Sequence, residues 1–405
     1  MNTAIPTPRQ LEYQDWEMGL FLHFGIRTFY EGHRDWDGKP MDPEAFQPTA
    51  FDAEDWVLTA KEAGMKYLVL TAKHHDGFAN WPSSYTDFSV ASSSWRAGQG
   101  DVVGEYVTAC HKHGMGCGLY YSPAEWGGTS IYQDERAYDD YFINQISEIL
   151  QPYGDIDILW FDGCGSEGHE YDWPRIVAEV RRLQPRVMIF NMADPDFRWV
   201  GNEAGLAPVP CWNTVTEGEF AGRWLPAECD CRMRAANWFY SDQDEDTVKG
   251  LDELLGLHYY SVGRGCNLLI NIGPDRRGLL PDRDRARLLE FGAELRRRFG
   301  SPLATLADWQ PTTDGWQWSP ARPTLIDHIV LQEDLSAGEH CRRFVLDIPY
   351  GDYPAITLWQ GRNIGHKAIC QFPPVTAHTV RLRVLESDGE TRLRAVEVHC
   401  VTGQV

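Results

Sequence analysis

The sequence predicts an α/β chain, a (β/α)8-like TIM barrel followed by a C-terminal β-sandwich. Over the first three quarters, short continuous apolar runs alternate with helical patterns at a period of about 40 residues, which demands helices packed around a parallel sheet. About eight such strand units fit into roughly 300 residues, which favours a closed barrel over an open doubly wound sheet. No GxGxxG turn follows the first strand, which weakens the dinucleotide-fold alternative further. Beyond that point apolar and polar residues alternate one by one, the signature of half-buried antiparallel strands. The expected division is a catalytic barrel over 1–302 and a sandwich over 303–405.

The elements follow in order. "GLFLHFG" (19–25) reads as a buried strand, and "FDAEDWVLTAKEAG" as a helix capped by Asp52 and closed by Gly64. "KYLVLTAKHH" and "CGLYYSP" are the next strands, with the helix "DVVGEYVTACHKHG" between them. "DERAYDDYFINQISEILQPYG" is a long amphipathic helix leading to the strand "DIDILWFDG". "WPRIVAEVRRLQP" is a helix with Pro174 in its first turn, and "VMIFN" a fifth strand. From 200 to 245 the pattern loosens, with weak strand candidates at "WNTV" and "NWFYS". A helical pattern over about 246–260, the strand "CNLLINIGP" and a helix from Pro281 to Gly300 complete the barrel. "RRFVLDIPY", "AITLWQG", "TVRLRVLES" and "RAVEVHCV" are the sandwich strands.

Composition narrows the function classes. With 37 Lys+Arg against 59 Asp+Glu, the net charge of −22 argues against nucleic acid or anionic lipid as a partner. No apolar run is long enough to span a bilayer, and no basic segment followed by an apolar one opens the chain, so a cytoplasmic location is expected. Ten scattered cysteines without a framework spacing read as reduced thiols. The 16 tryptophans exceed what a core demands and fit a site that stacks on sugar rings.

In a parallel barrel the active face lies at the C-terminal ends of the strands. Four apolar runs end there in polar groups: His23, the pair His74 and His75, the pair Tyr120 and Tyr121, and Asp162 in "ILWFDG". Taken singly, each reads as a hydrogen-bonded structural residue or a turn. His74 and His75 are adjacent, so on a strand they face opposite ways and make a poor metal pair. "CDC" (229–231) lacks the gap of a zinc knuckle. No metal and no cofactor are expected. Together the four sites suit sugar hydroxyls around a carboxylate that meets an oxocarbenium-like transition state.

"LHFG", "EAGMKYLVLTAKHHDGFANWPS", "GLYYSP", "ILWFDG" and "NLLINIGPDRRG" together resemble glycoside hydrolase family 29, the α-L-fucosidases, across the whole barrel and in the family's order. The resemblance implies a fucosylated oligosaccharide as substrate and retention of configuration through a covalent fucosyl-enzyme. It implies Asp162 as nucleophile. "DFRWVGNEAG" resembles the segment that bears the acid/base in the α-1,3/1,4-specific branch, which points to Glu203. Glu228 is the fallback, ahead of Glu217 and Glu219. His23, Trp36, His74, His75, Tyr120, Trp160 and Arg234 are implied as the sugar-binding set. Two other readings fit the same residues: a fucose-binding protein without catalysis, and a hydrolase of the same fold acting on another sugar such as a β-galactoside. The oligomeric state is not legible in the sequence.

Overall fold

The computed structural model describes residues 4–33, 39–127 and 130–402. Eight strands form one sheet: β1 (Met18–Leu22), β2 (Tyr67–Lys73), β3 (Gly116–Tyr121), β4 (Ile158–Phe161), β5 (Met188–Phe190), β6 (Arg198–Trp199), β7 (Ala227–Arg232) and β8 (Asn267–Asn271). Their order is β5-β4-β3-β2-β1-β8-β7-β6, with every neighbouring pair parallel. A bridge between Phe190 and Phe197 spans the remaining gap, so the sheet is a nearly closed barrel. Every residue of β2 and β3 is buried, as continuous apolar runs require when both faces of a sheet are covered.

The helices begin where the sequence offers side-chain caps. In α1 (Pro8–Trp16) Thr7 and Gln10 form a capping box, while Asp52, Asp101, Asp134 and Asp172 cap α2 (Ala53–Glu62), α3 (Val102–His113), α4 (Glu135–Leu150) and α5 (Trp173–Leu183). Each such cap contributes about 1 kcal/mol by satisfying an otherwise orphaned amide. The last two helices, α6 (Leu251–Tyr260) and α7 (Asp282–Phe299), flank β8. No α-helix follows β5 or β6, so this flank of the barrel is irregular chain.

That flank is where the sequence reading needs correction. "WNTV" and "NWFYS" are not strands: the first makes a single bridge, Thr214 to Trp224, and the second is loop. The strands are Arg198–Trp199 and Ala227–Arg232 instead. Hydropathy conceals β7 because its barrel-facing residues are Glu228, Asp230 and Arg232, while Cys229 and Cys231 face the helices. The helix expected from about 246 starts at Leu251, after a short turn at Glu245–Thr247.

Inside the barrel, Tyr13 of α1 packs with Phe21, Tyr67, Tyr120, Trp160 and Phe190. At their centre the Glu228 carboxyl accepts from Tyr13 and Tyr67 hydroxyls at 2.7 and 2.6 Å and from the Trp160 indole at 2.8 Å. Gly19 makes room for this floor, since a Cβ there would lie 2.5 Å from the Tyr67 ring.

The C-terminal part is two antiparallel sheets around their own core, which includes Ile329, Phe344, Leu382 and Val398. Its strands are β9 (Ala304–Thr305), β10 (Trp309–Pro311), β11 (Gly315–Trp318), β12 (Thr324–Glu333), β13 (Cys341–Tyr350), β14 (Tyr353–Gly361), β15 (Ala368–Ala377), β16 (Val380–Ser387) and β17 (Leu393–His399). One sheet runs β10-β11-β16-β13-β14 and the other β15-β12-β17-β9. The sandwich bonds to the barrel at several points. The Ile369 amide donates to the Gly263 carbonyl, Tyr259 pairs with His328 at 2.7 Å, and buried Glu339 accepts from the Asn213 amide at 3.1 Å.

Candidate active site

A cavity of about 410 Å³ opens at the C-terminal ends of the strands, with Phe21, Trp160 and Phe190 in its floor. Asp162, the first residue after β4, lies in its wall. Its Oδ1 accepts from the Cys164 amide at 2.9 Å, and its Oδ2 accepts from the Tyr120 hydroxyl at 2.7 Å, with His75 Nε2 3.4 Å away. Burial pushes this carboxyl's pKa up, but His75, the Cys164 amide and Tyr120 outweigh it, and the group stays below the ordinary carboxylate range.

The histidines have distinct states that follow from their partners. Ser122 Oγ spends its own proton on the Ala124 carbonyl, so His75 Nδ1 must donate to it, at 2.5 Å. Burial disfavours a charge on His75, yet Asp162, and with it Cys164, overcome this through hydrogen bonding and charge and raise its pKa to about 9. His75 is therefore an imidazolium at neutral pH, donating from both nitrogens. His23 is the opposite case. Asn271 uses its amide nitrogen on the Trp238 carbonyl, so its Oδ1 accepts from His23 Nδ1 at 2.7 Å. Burial lowers the His23 pKa to about 3, which leaves Nε2 as an acceptor. Burial and the neighbouring His75 likewise hold His74 far below its ordinary pKa. His74 stacks on Tyr120, and Tyr120 in turn on Trp160. The cavity thus offers both donors and acceptors beside a flat apolar floor.

Opposite, Glu203 lines the same cavity from the loop after β6. Its side chain is half exposed, and Arg232 Nη1 lies 3.7 Å from its carboxylate. An Ala204–Cys231 bridge pins the loop to β7. Trp199 carries the wall between: Asn191, at φ 58°, accepts from its amide at 3.2 Å, and Asp230 accepts from its indole at 2.6 Å. A second concavity of about 600 Å³, lined by Arg232 among others, adjoins this edge and shares Glu203 and Trp238 with the first.

The residues singled out in the sequence divide clearly. Asp162, Glu203, His23, His74, His75, Tyr120 and Trp160 all line the cavity. Glu228 does not: it is fully buried under the floor, where three donors hold it, so the fallback acid/base is a structural residue. Arg234 is also corrected. It lies beyond the end of β7, and its guanidinium is tied to Asp284 at 2.7 Å and Asp244 at 3.1 Å. Arg232, two residues earlier, lines the adjoining concavity and approaches Glu203 instead. Glu217 and Glu219 are exposed and outside the cavity. Trp36 lies outside the described residues. The sequence reading missed Trp199, Trp238, Asn191, Asp230 and Arg232; the alternation Glu228, Asp230, Arg232 was the available signal for the last two. Among the described residues, no group of three or more His, Cys, Asp or Glu side chains is placed to hold a metal ion.

The profile of the alpha-L-fucosidase family matches residues 41–298. Alpha-L-fucosidase 1 of Arabidopsis thaliana is 39% identical over 75% of this chain and 62% of its own length. A glycoside hydrolase 29 family member from an unknown rumen bacterium superposes with a TM-score of 0.90 at 32% identity, covering 98% of this chain and 78% of that one. A Ruminococcus gnavus GH29 fucosidase in complex with fucose superposes at 0.87 with 26% identity, over 98% of this chain and 95% of that one.

Proposed function

Because the chain belongs to the alpha-L-fucosidase family, a glycoside hydrolase family, we propose that it releases terminal α-L-fucose with retained configuration, Asp162 acting as nucleophile and Glu203 as acid/base. One observation carries the assignment. Asp162 is a carboxylate held ionised by an imidazolium, a hydroxyl and an amide, in a cavity that the half-exposed Glu203 also lines. In the first step an Asp162 oxygen attacks C1, the C1–O bond to the leaving group breaks, and Glu203 gives its proton to the departing oxygen. In the second, Glu203 takes a proton from water, whose oxygen attacks C1 and frees Asp162. Such a mechanism needs carboxyl groups about 5–5.5 Å apart, against about 6.5–9.5 Å for inversion.

His23, His74, His75 and Tyr120 are read as the partners of the sugar hydroxyls. The neutral His23 supplies an acceptor, and the charged His75 an Nε2–H that it shares with Asp162. Trp160 and Phe21 give the flat apolar surface that suits a sugar whose C6 is a methyl group. The neighbouring concavity beyond Glu203 supports a leaving group larger than a simple aglycone, hence an α-1,3- or α-1,4-linked fucose on a branched oligosaccharide.

A 2-deoxy-2-fluoro-fucosyl donor is expected to label the peptide containing Asp162, and label on another carboxylate overturns the nucleophile assignment. Glu203→Ala is expected to lose most activity, by roughly 100-fold or more on poor leaving groups, and to yield α-L-fucosyl azide when azide, which needs no general base, attacks C1 in place of water and displaces Asp162. Preference for a Lewis-type trisaccharide over nitrophenyl α-L-fucoside tests the linkage reading.

A further inference from the structure

Asp230 is a cavity-wall carboxyl without a cation. It projects from β7 on the same face as Glu228 and Arg232 and is almost fully buried. Trp199 donates its indole N–H to Oδ1 at 2.6 Å, and no ion pair to Asp230 forms among the described residues. The mechanism above gives it no role. The charged and titratable groups around it are Glu228, Cys231 and Arg232 on its own strand, Glu203 on the loop after β6, and His23, His74, His75, Tyr120, Asp162, Cys164 and Glu167 elsewhere in the cavity wall. Arg232 is directed to Glu203, and His75 to Asp162.

We propose that Asp230 is a substrate-binding residue that works as a neutral acid, accepting from Trp199 through one oxygen and donating from the other to a hydroxyl of the bound sugar. The inference rests on the reading that this cavity receives a fucosyl group. Burial favours the protonated form, the Trp199 bond opposes it, and the nearby carboxyls of Glu228 and Glu203 favour it again, leaving the pKa at about 8. A neutral carboxylic acid is the one state in which this side chain both accepts from the indole and donates into the cavity.

Linkage gives the consequence its sign. A sugar that covers Asp230 removes water from it and disfavours its charge further, so the proton is held more tightly in the complex. Fucose binding therefore takes up protons near pH 8 and weakens as the pH rises past that value. His75 carries the opposite sign, because covering an imidazolium favours release of its proton. Asp162 stays ionised throughout this range.

The test is calorimetry of L-fucose binding to the full-length protein at pH 8, in two buffers of different ionisation enthalpy. The wild type is expected to take up more protons than Asp230→Asn, which keeps an acceptor for Trp199, an amide donor towards the sugar and the release from His75. The inhibition constant of fucose should rise several-fold more between about pH 7 and 9.5 in the wild type than in that variant, which keeps only the opposite response of His75. Trp199→Phe retains Asp230 but removes the bond that lowers its pKa, so the Asp230-linked uptake should shrink at pH 8 and reappear at more alkaline pH. Equal proton exchange in wild type and Asp230→Asn at pH 8, or no alkaline shift in Trp199→Phe, overturns the inference. Fucose binding without the difference between wild type and Asp230→Asn removes the role of Asp230 alone, whereas absence of any fucose binding removes the functional reading and this inference together.

Discussion

At the scale of single residues, the contact between His75 and Asp162 fixes the pH range in which the site can work. His75 has a raised pKa, so its charge is present at neutral pH and is lost as the pH climbs through about 9. Asp162 has a depressed pKa, so its charge persists well into acid and is lost only below the ordinary carboxylate range. The ion-paired state lies between those limits. His75→Gln leaves a donor but no charge, and burial then acts on Asp162 with less opposition. The expected result is a fall in kcat/KM of about tenfold or more, near 1.4 kcal/mol, and an acid limb moved to higher pH. A pH–rate profile of the variant checks both. Asp162 and the histidines were legible because each ends an apolar run, where a polar side chain stands out. Asp230 and Arg232 were not, because they sit in a strand whose inward face is polar throughout and so has no apolar run to end.

At the scale of elements, β7 shows what a polar strand requires. Its Glu228 is tolerated in the barrel interior because Tyr13, Tyr67 and Trp160 converge on it from α1, β2 and β4. Removing the acceptor orphans three buried donors, each worth about 1–3 kcal/mol. Glu228→Ala should therefore cost about 3–5 kcal/mol in denaturant unfolding, and Glu228→Gln, which restores an acceptor oxygen, much less. The capped helices and the all-apolar strands were readable from sequence because local chemistry determines them. "WNTV" and "NWFYS" misled because their apolar residues serve loop packing, while the strands of that region are very short or polar.

At the scale of the whole molecule, barrel and sandwich share buried polar contacts, and one of them titrates. Glu339 of the sandwich accepts from Asn213 and Asn363, and burial raises its pKa to about 7. A carboxyl with a raised folded pKa stabilises fully below its unfolded value, and that contribution is lost as the pH rises through about 7. Melting temperature should thus fall between about pH 5 and 8, by the equivalent of about 1–3 kcal/mol, and Glu339→Gln should flatten the slope. The two-part architecture itself was legible, since the change from continuous to alternating apolar residues reports a change in how many faces of a sheet are covered. The helix-free flank after β5 has a further consequence. Asp162 rides on a tightly laced half of the barrel, whereas Trp199 and Glu203 are braced only by β7 and its neighbours, and no helix prescribes the length of the chain that follows them. Insertions and deletions between Thr214 and Trp224 can accumulate among kindred proteins without disturbing the grip on the sugar. Divergence in which glycans are trimmed has its natural seat there.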